Sequence, residues 1–178
     1  MGDPRRLRPD EVEILVAREL RKAGLEVSGL RVRGRTALSE DQGEYAVEIT
    51  GVVRVDDADR RVLVECRNER QPVGPESVLA LDAKLADAGA RHALLFSTSG
   101  YAPDAVRRAR ERGIPLLAVA DGRAAFARSP WSTGGQPPAW VPEYMAEVVD
   151  LDATGELRHH LVVADRPRLI LDRLASNT

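Results

Sequence analysis

The 178-residue chain has one cysteine, Cys66, and two lysines, Lys22 and Lys84. A single thiol excludes an internal disulfide framework. No stretch stays apolar for the roughly 18 residues that a membrane span requires. The opening MGDPRRLRPDE lacks the apolar segment of a secretory signal, and the Gly at position 2 lacks the Ser or Thr of a myristoylation motif. Net charge is only −2 although 30% of the residues are charged. That balance excludes a globally basic protein that coats nucleic acid, and it leaves a local basic face open. No G-x-G-x-x-G follows the first strand and no P-loop occurs, so a nucleotide cofactor is not expected. The expectation is a soluble, cytoplasmic protein with no membrane partner.

What is present offsets these gaps. There are 24 arginines, with many Ala, Gly, Val and Pro residues. This bias fits a GC-rich genome, in which Arg can stand where a relative carries Lys. Hydrophobic residues make up 43% of the chain, enough for a sizeable core. The length suits one domain of roughly 100–150 residues plus an extension.

Residues 10–23 read as a helix, with Val12, Leu15, Val16, Leu20 and Ala23 on one stripe, Asp10 and Glu13 in capping-box spacing, and Gly24 as the stop. LEVSGLRVRG reads as a strand that Gly29 can break, TALSEDQGE as a loop, YAVEITGVVRV and RRVLVECR as strands, and DDAD as the turn between them. The pattern then alternates. GPESVLALDAKLADAG is a helix with Val78, Leu81, Leu85 and Ala88 inward, HALLFSTS a buried strand, APDAVRRARERG a helix, and IPLLAVA a strand. Strand–helix–strand units at this spacing imply parallel strands. The expected architecture is a mixed α/β core over residues 10–122. A Pro/Gly-rich linker (123–142) follows, then a β-hairpin extension (143–178) turning at Asp152-Ala153-Thr154-Gly155, with RPRLILDRLASNT closing as a short helix or strand.

The chemistry concentrates at Val62-Leu63-Val64-Glu65-Cys66-Arg67. Alternation on a strand puts Glu65 and Arg67 on one face and Cys66 on the other. An antiparallel neighbour can bring Glu48 beside Glu65. Two carboxylates and a main-chain carbonyl, that of Cys66, form a hard oxygen site suited to Mg²⁺ (or Mn²⁺). A divalent ion there would polarise a phosphodiester and acidify an attacking water, and a nearby cation would steady the developing charge. The same Glu-x-Arg pattern is also what a surface ion pair looks like, worth roughly 0–1 kcal/mol.

VEILVARELRKAGLEV, YAVEI, LVECRNERQPVG and VLALDAKLADAGARHALLFSTSGYAPDAVRRARERGIPLL, in this order and spacing, resemble the Mrr-type branch of the PD-(D/E)xK restriction-endonuclease superfamily. The resemblance spans about residues 10–122. It implies a restriction-endonuclease-like core, a mixed central sheet flanked by helices, and a metal-dependent DNA endonuclease of the Mrr, type IV restriction kind. By position, Glu48 stands at the metal-binding Asp, Glu65 at the D/E, and Arg67 at the Lys. Glu13 lies near a first-helix acid that assists the metal, although its spacing from Asp10 equally fits helix capping. Glu48 is one methylene longer than Asp. Arg67 keeps the charge of Lys but cannot act as a base. An Arg that still works, a lysine relocated to Lys84 on the following helix, and a decayed site are the three accounts of these departures.

Ser97, Thr98, Ser99 and Tyr101 precede a helix and could contact a DNA backbone, although turn and cap chemistry explains the same residues. Arg107 and Arg110 could lie on phosphate, or simply on a solvated helix face. Arg5, Arg6 and Arg8 form a small basic arm. His159 and His160, adjacent on a strand, point to opposite faces and cannot share an ion. Trp131 and Trp140 either pin the extension to the core or mark an interaction surface. Cys66 is expected as a buried thiol. Two functions remain: a Mg²⁺-dependent endonuclease acting on DNA, as a dimer if it cuts both strands, or a nuclease-like module that no longer cuts and binds DNA or scaffolds a complex.

Overall fold

The computed structural model describes residues 2–55, 57–162, 170 and 174. Its elements run α1 (Pro9–Lys22), β1 (Glu26–Ser39), β2 (Glu44–Val55), β3 (Ala58–Asn68), α2 (Pro75–Lys84), β4 (His92–Ser97), α3 (Pro103–Arg112), β5 (Leu116–Asp121), α4 (Gly122–Ala127), β6 (Tyr144–Leu151) and β7 (Leu157–Leu161). The strands form one seven-stranded sheet in chain order. β1, β2 and β3 pair antiparallel, β3, β4 and β5 parallel, and β5, β6 and β7 antiparallel. The parallel centre is what the helical crossovers require.

Alternation along the central strands sorts side chains onto two cores. Val47, Ile49, Val62, Val64 and Cys66 pack with Val12, Leu15, Val16 and Leu20 of α1. Leu63, Leu95 and Leu116 pack with Val78 and Leu81 of α2 and Ala105, Val106 and Ala109 of α3. The sheet therefore has an α1 face and an α2–α3 face. Among the described residues no helix is long and apolar enough to cross a membrane.

Three expectations need correction. Asp10 and Glu13 do not cap α1. The helix starts one turn position earlier, Pro9 occupies its first turn, and the Glu11 carboxylate accepts from the Arg8 N–H at 2.8 Å. The loop expected at 36–44 is strand as far as Ser39, followed by a short 3₁₀ turn over Glu40–Gln42. β1 is an edge strand whose residues are mostly exposed, so burial imposes no alternation on it. It follows β2 through three irregularities, one spanning Gly29 at φ +63°. The hairpin is no separate appendage. β6 pairs with β5, so Ala146 and Val148 enter the α1 core.

The stretch expected as linker opens as helix α4, capped by Asp121 accepting from the Ala124 N–H at 2.9 Å. Gly122 has no room for a side chain: a Cβ there would sit 1.8 Å from the Pro142 carbonyl oxygen. That contact pins the return of the chain into β6. The turn at Asp152–Gly155 forms as expected, with the Asp152 carboxylate accepting from the Thr154 and Glu156 N–H groups. Of the closing segment RPRLILDRLASNT only Ile170 and Leu174 are described, both helical and buried in the α1 core, and the rest of that expectation lies outside the described residues.

Candidate active site

Glu48 and Glu65 are direct partners across β2 and β3, and both face α2. Glu65 occupies the centre of the sheet between Glu48 and Leu95, where its side chain is 2% exposed. Burying a carboxylate so deeply is costly unless cations and hydrogen bonds replace the lost water. Two cations do this. Lys84 donates to its Oε2 at 2.7 Å, and Arg67 Nη1 lies 3.2 Å from its Oε1. Lys84 also reaches Glu48 Oε2 at 3.2 Å, and so bridges the two carboxylates. Arg33 approaches Glu48 Oε1 at 3.7 Å, and Arg67 Nε donates to Glu69 at 2.5 Å. Three carboxylates thus meet three cations, and every oxygen of the Glu48–Glu65 pair faces a positive group.

The α2 helix sets this geometry. It leaves the β3 end at Pro75, runs back over the sheet, and delivers Lys84 in its last turn above Glu65. Partial burial disfavours the Lys84 ammonium, but the Glu65 and Glu48 carboxylates outweigh that cost and hold it above its ordinary value. Lys84 is therefore charged at neutral pH. Its side chain is 45% exposed, so the ammonium has room to swing aside. Cys66 points into the α1 core, where burial and the neighbouring Glu65 push its thiol well up and keep it inert.

The other expected site residues sit elsewhere. Glu13 projects from α1 and is paired with Arg35, which lies opposite Val47 on the α1 face. The sheet separates it from the Glu48–Glu65 pair. Ser97, Thr98 and Tyr101 are buried, Ser99 is half-buried, and each hydroxyl bonds within the protein. Ser97 donates to the Gly100 carbonyl at 2.9 Å, Thr98 to Asn68 Oδ1 at 2.8 Å, and Ser99 to the Gln71 carbonyl at 2.8 Å. The buried Tyr101 hydroxyl donates to the Leu95 carbonyl at 2.6 Å and lies 3.1 Å from that of Leu117. Together with the Val73–Tyr101 bridge, these bonds lock the segment after β3 against the segment after β4. Turn chemistry accounts for these hydroxyls. Arg107 is exposed on α3, which packs mainly on α2 and β6. Arg110 is engaged with Asp150 at 2.5 Å and the Leu151 carbonyl at 2.7 Å. His159 pairs with the buried Glu147 at 3.3 Å, while His160 is exposed. Trp140 meets Phe126 edge-on at 5.8 Å and is otherwise largely open to solvent.

Two members of the site escaped the sequence reading. Glu69 stands two residues beyond Arg67, and same-face spacing could have found it. Arg33 could not be found so, because it reaches Glu48 through an irregularity between Val32 and Gly34. Among the described residues no three His, Cys, Asp or Glu side chains gather around one point. The donor set for a cation is the two carboxylates with main-chain oxygen. These are the donor types a hard divalent ion takes, and Lys84 occupies the position between the two carboxylates.

A helix, a three-strand meander carrying paired acids, and two helical crossovers into parallel strands make a restriction-endonuclease-like fold. The chain belongs to the restriction endonuclease family whose model, Mrr_cat, matches residues 4–123, about two thirds of its length. Enzymes of the PD-(D/E)xK kind generally use divalent metals, and their substrate is DNA. Among solved structures, "Structure of EndoMS in apo form" matches at 16% identity and a TM-score of 0.37, covering 62% of this chain and 45% of that one. The chain thus spans less than half the length of that protein, and the likeness carries no weight beside the family match. No curated protein matches the chain.

Proposed function

We propose that the chain is a divalent-metal-dependent DNA endonuclease of the Mrr kind, with Glu48, Glu65, Lys84 and Arg67 as its working residues. The observation that carries this reading is Lys84 bridging Glu65 at 2.7 Å and Glu48 at 3.2 Å. One of only two lysines in the chain is held at the paired acids. That supports a relocated ammonium over a lost one.

Glu48, Glu65 and the Cys66 carbonyl would hold the metal, Mg²⁺ or Mn²⁺. When bound, it would supply Lewis acidity to the phosphodiester and to water. The chain's own groups do the rest. Glu65 is fixed in the sheet, so its position costs no reorganisation. Lys84, held charged by the two carboxylates, and the Arg67 guanidinium place positive charge where the phosphorus gathers negative charge. Neither serves as the base. Arg67, gripped by Glu65 and Glu69, offers its remaining N–H groups in a fixed orientation. Water oxygen bonds to phosphorus in line as the opposite P–O bond breaks; the attacking water releases a proton to solvent and the departing oxygen takes one from solvent, so one water is consumed per bond cut.

A module that keeps the fold without cutting is the rival. The closure of every oxygen of the Glu48–Glu65 pair by a cation favours it. Supercoiled plasmid incubated with Mg²⁺ or Mn²⁺ separates the two. Nicking by the wild type that Glu65→Gln abolishes is expected. An inert wild type supports the rival, and nicking that survives Glu65→Gln places the activity outside this site.

A further inference from the structure

On the α2–α3 face of the sheet, rows of side chains lead away from the acid pair toward the start of β3. Arg31 lies opposite Thr50, and Arg61 opposite Val52. Thr50 and Val52 are two and four residues beyond Glu48, so they share its face in successive rows about 7 Å apart. A groove of about 630 Å³ runs over these rows, floored by Thr50, Gly51 and Val52 and walled by Arg31, Arg33 and Arg61. No acidic residue lines it. Arg31 and Arg61 are exposed and make no ion pair among the described residues, and Arg61 Nη1 is seated 3.1 Å from where a Cβ on Gly89 would stand.

A second groove of about 450 Å³ shares Arg61 and adds Arg60, Arg91 and His92, with Asp59 as its one acid. His92 sits among these arginines. Burial, then Arg60 and Arg91, hold its imidazole below the ordinary value. The groove beside the N-terminal arm differs. Its lining holds as many acids, Asp3, Glu44 and Glu69, as arginines, Arg5, Arg6 and Arg70. Arg31 and Arg61, without an ion pair among the described residues, thus stand with Arg33 in one track that ends at Glu48, to which Arg33 is paired.

We infer that the Arg31–Arg33–Arg61 track is a binding site for the phosphate backbone of DNA flanking the bond presented to Glu48 and Glu65. This deepens the function proposed above and rests on it. None of the residues lining the first groove is aromatic, so it offers no platform for stacked bases. Arginines spaced along a strand recognise phosphates, and contacts of that kind position the nucleic acid without reading its sequence.

The test is fluorescence anisotropy of a labelled random-sequence duplex with the full chain in EDTA, across a salt series. Compared are wild type, Arg31→Gln/Arg61→Gln, Arg31→Lys/Arg61→Lys, and Arg5→Gln/Arg6→Gln, with thermal melting as the check on folding. Each phosphate contact contributes a slope of about −0.9 in log affinity against log salt. The Gln pair should lose nearly two such contacts and bind roughly tenfold or more weakly. The Lys pair should retain most of the slope, and the arm variant should resemble wild type. The inference is overturned if wild type does not bind, if the Gln pair keeps the wild-type slope and affinity, or if the arm variant loses as much as the track variant. Plasmid nicking keeps the two proposals apart. A wild type that binds with this slope but never nicks leaves the track standing and overturns the nuclease. Nicking with binding unchanged in the Gln pair does the reverse.

Discussion

Lys84 and Glu65, nineteen residues apart in sequence, meet at 2.7 Å beneath the C-terminal turn of α2. This contact places an ammonium at the paired acids from a helix, while the strand position two beyond Glu65 carries a guanidinium held by Glu65 and Glu69. On the proposed function the two cations divide the work at the acid pair, and that fixes what each substitution should do.

Arg67→Lys should not improve cutting. An ammonium can hold Glu65 or Glu69 but not grip both as the fork does. With Lys84 already at the acid pair, the new lysine fills no vacancy. A fall in nicking rate on the order of tenfold is expected, less than the roughly 10²–10³ that follows loss of a whole charge-stabilising donor. A large gain would show that Lys84 does not fill the role.

Glu13→Gln should leave nicking unchanged. The residue faces the α1 side of the sheet, where it pairs with the exposed Arg35. Loss of such a pair costs about 0–1 kcal/mol. Matched nicking rates and a melting shift of no more than a few degrees are expected.

Tyr101→Phe should weaken the fold and spare DNA affinity. Its hydroxyl is buried between the Leu95 and Leu117 carbonyls. Leaving them short of a donor should cost about 1–2 kcal/mol, or several degrees in Tm for a chain of this size. Anisotropy with the duplex in EDTA should match wild type.

Alkaline stability should carry the signature of Lys84. Its ammonium is held above the ordinary 10.5 in the folded protein, so its contribution is fully present below that value. The contribution disappears as pH rises through the higher, folded value. In urea denaturation between pH 7 and 11, wild type should exceed Lys84→Met by a constant margin up to about pH 10. The margin should then narrow. A margin that widens with pH would contradict the geometry.

Much of this was legible from the sequence because burial is periodic. The strands bearing Val47–Ile49 and Val62–Cys66 are buried on the α1 side, so their alternation announced both the strands and the shared face of Glu48 and Glu65. Helices α2 and α3 carried Pro at the start and a Gly after the end. The edge strand β1 was partly missed because it has no buried face to impose a pattern. Arg33 went unseen for the same reason, since its approach to Glu48 depends on irregular pairing. The hydroxyls at 97–99 were ambiguous because helix-entry loops look alike whether they bind a phosphate or the neighbouring loop. The bonds from Thr98 to Asn68 and from Ser99 to Gln71, which tie the two loops together, have no sequence signature.

The central claim is that Glu65 and Lys84 act together on DNA. The most direct measurement is the initial rate of supercoiled plasmid nicking in Mg²⁺ or Mn²⁺ for wild type, Glu65→Gln and Lys84→Ala, each confirmed as folded by its melting curve. Wild type should cut, Glu65→Gln should not, and Lys84→Ala should lose roughly 10²-fold or more in rate. A Lys84→Ala variant that nicks as fast as wild type would contradict the claim.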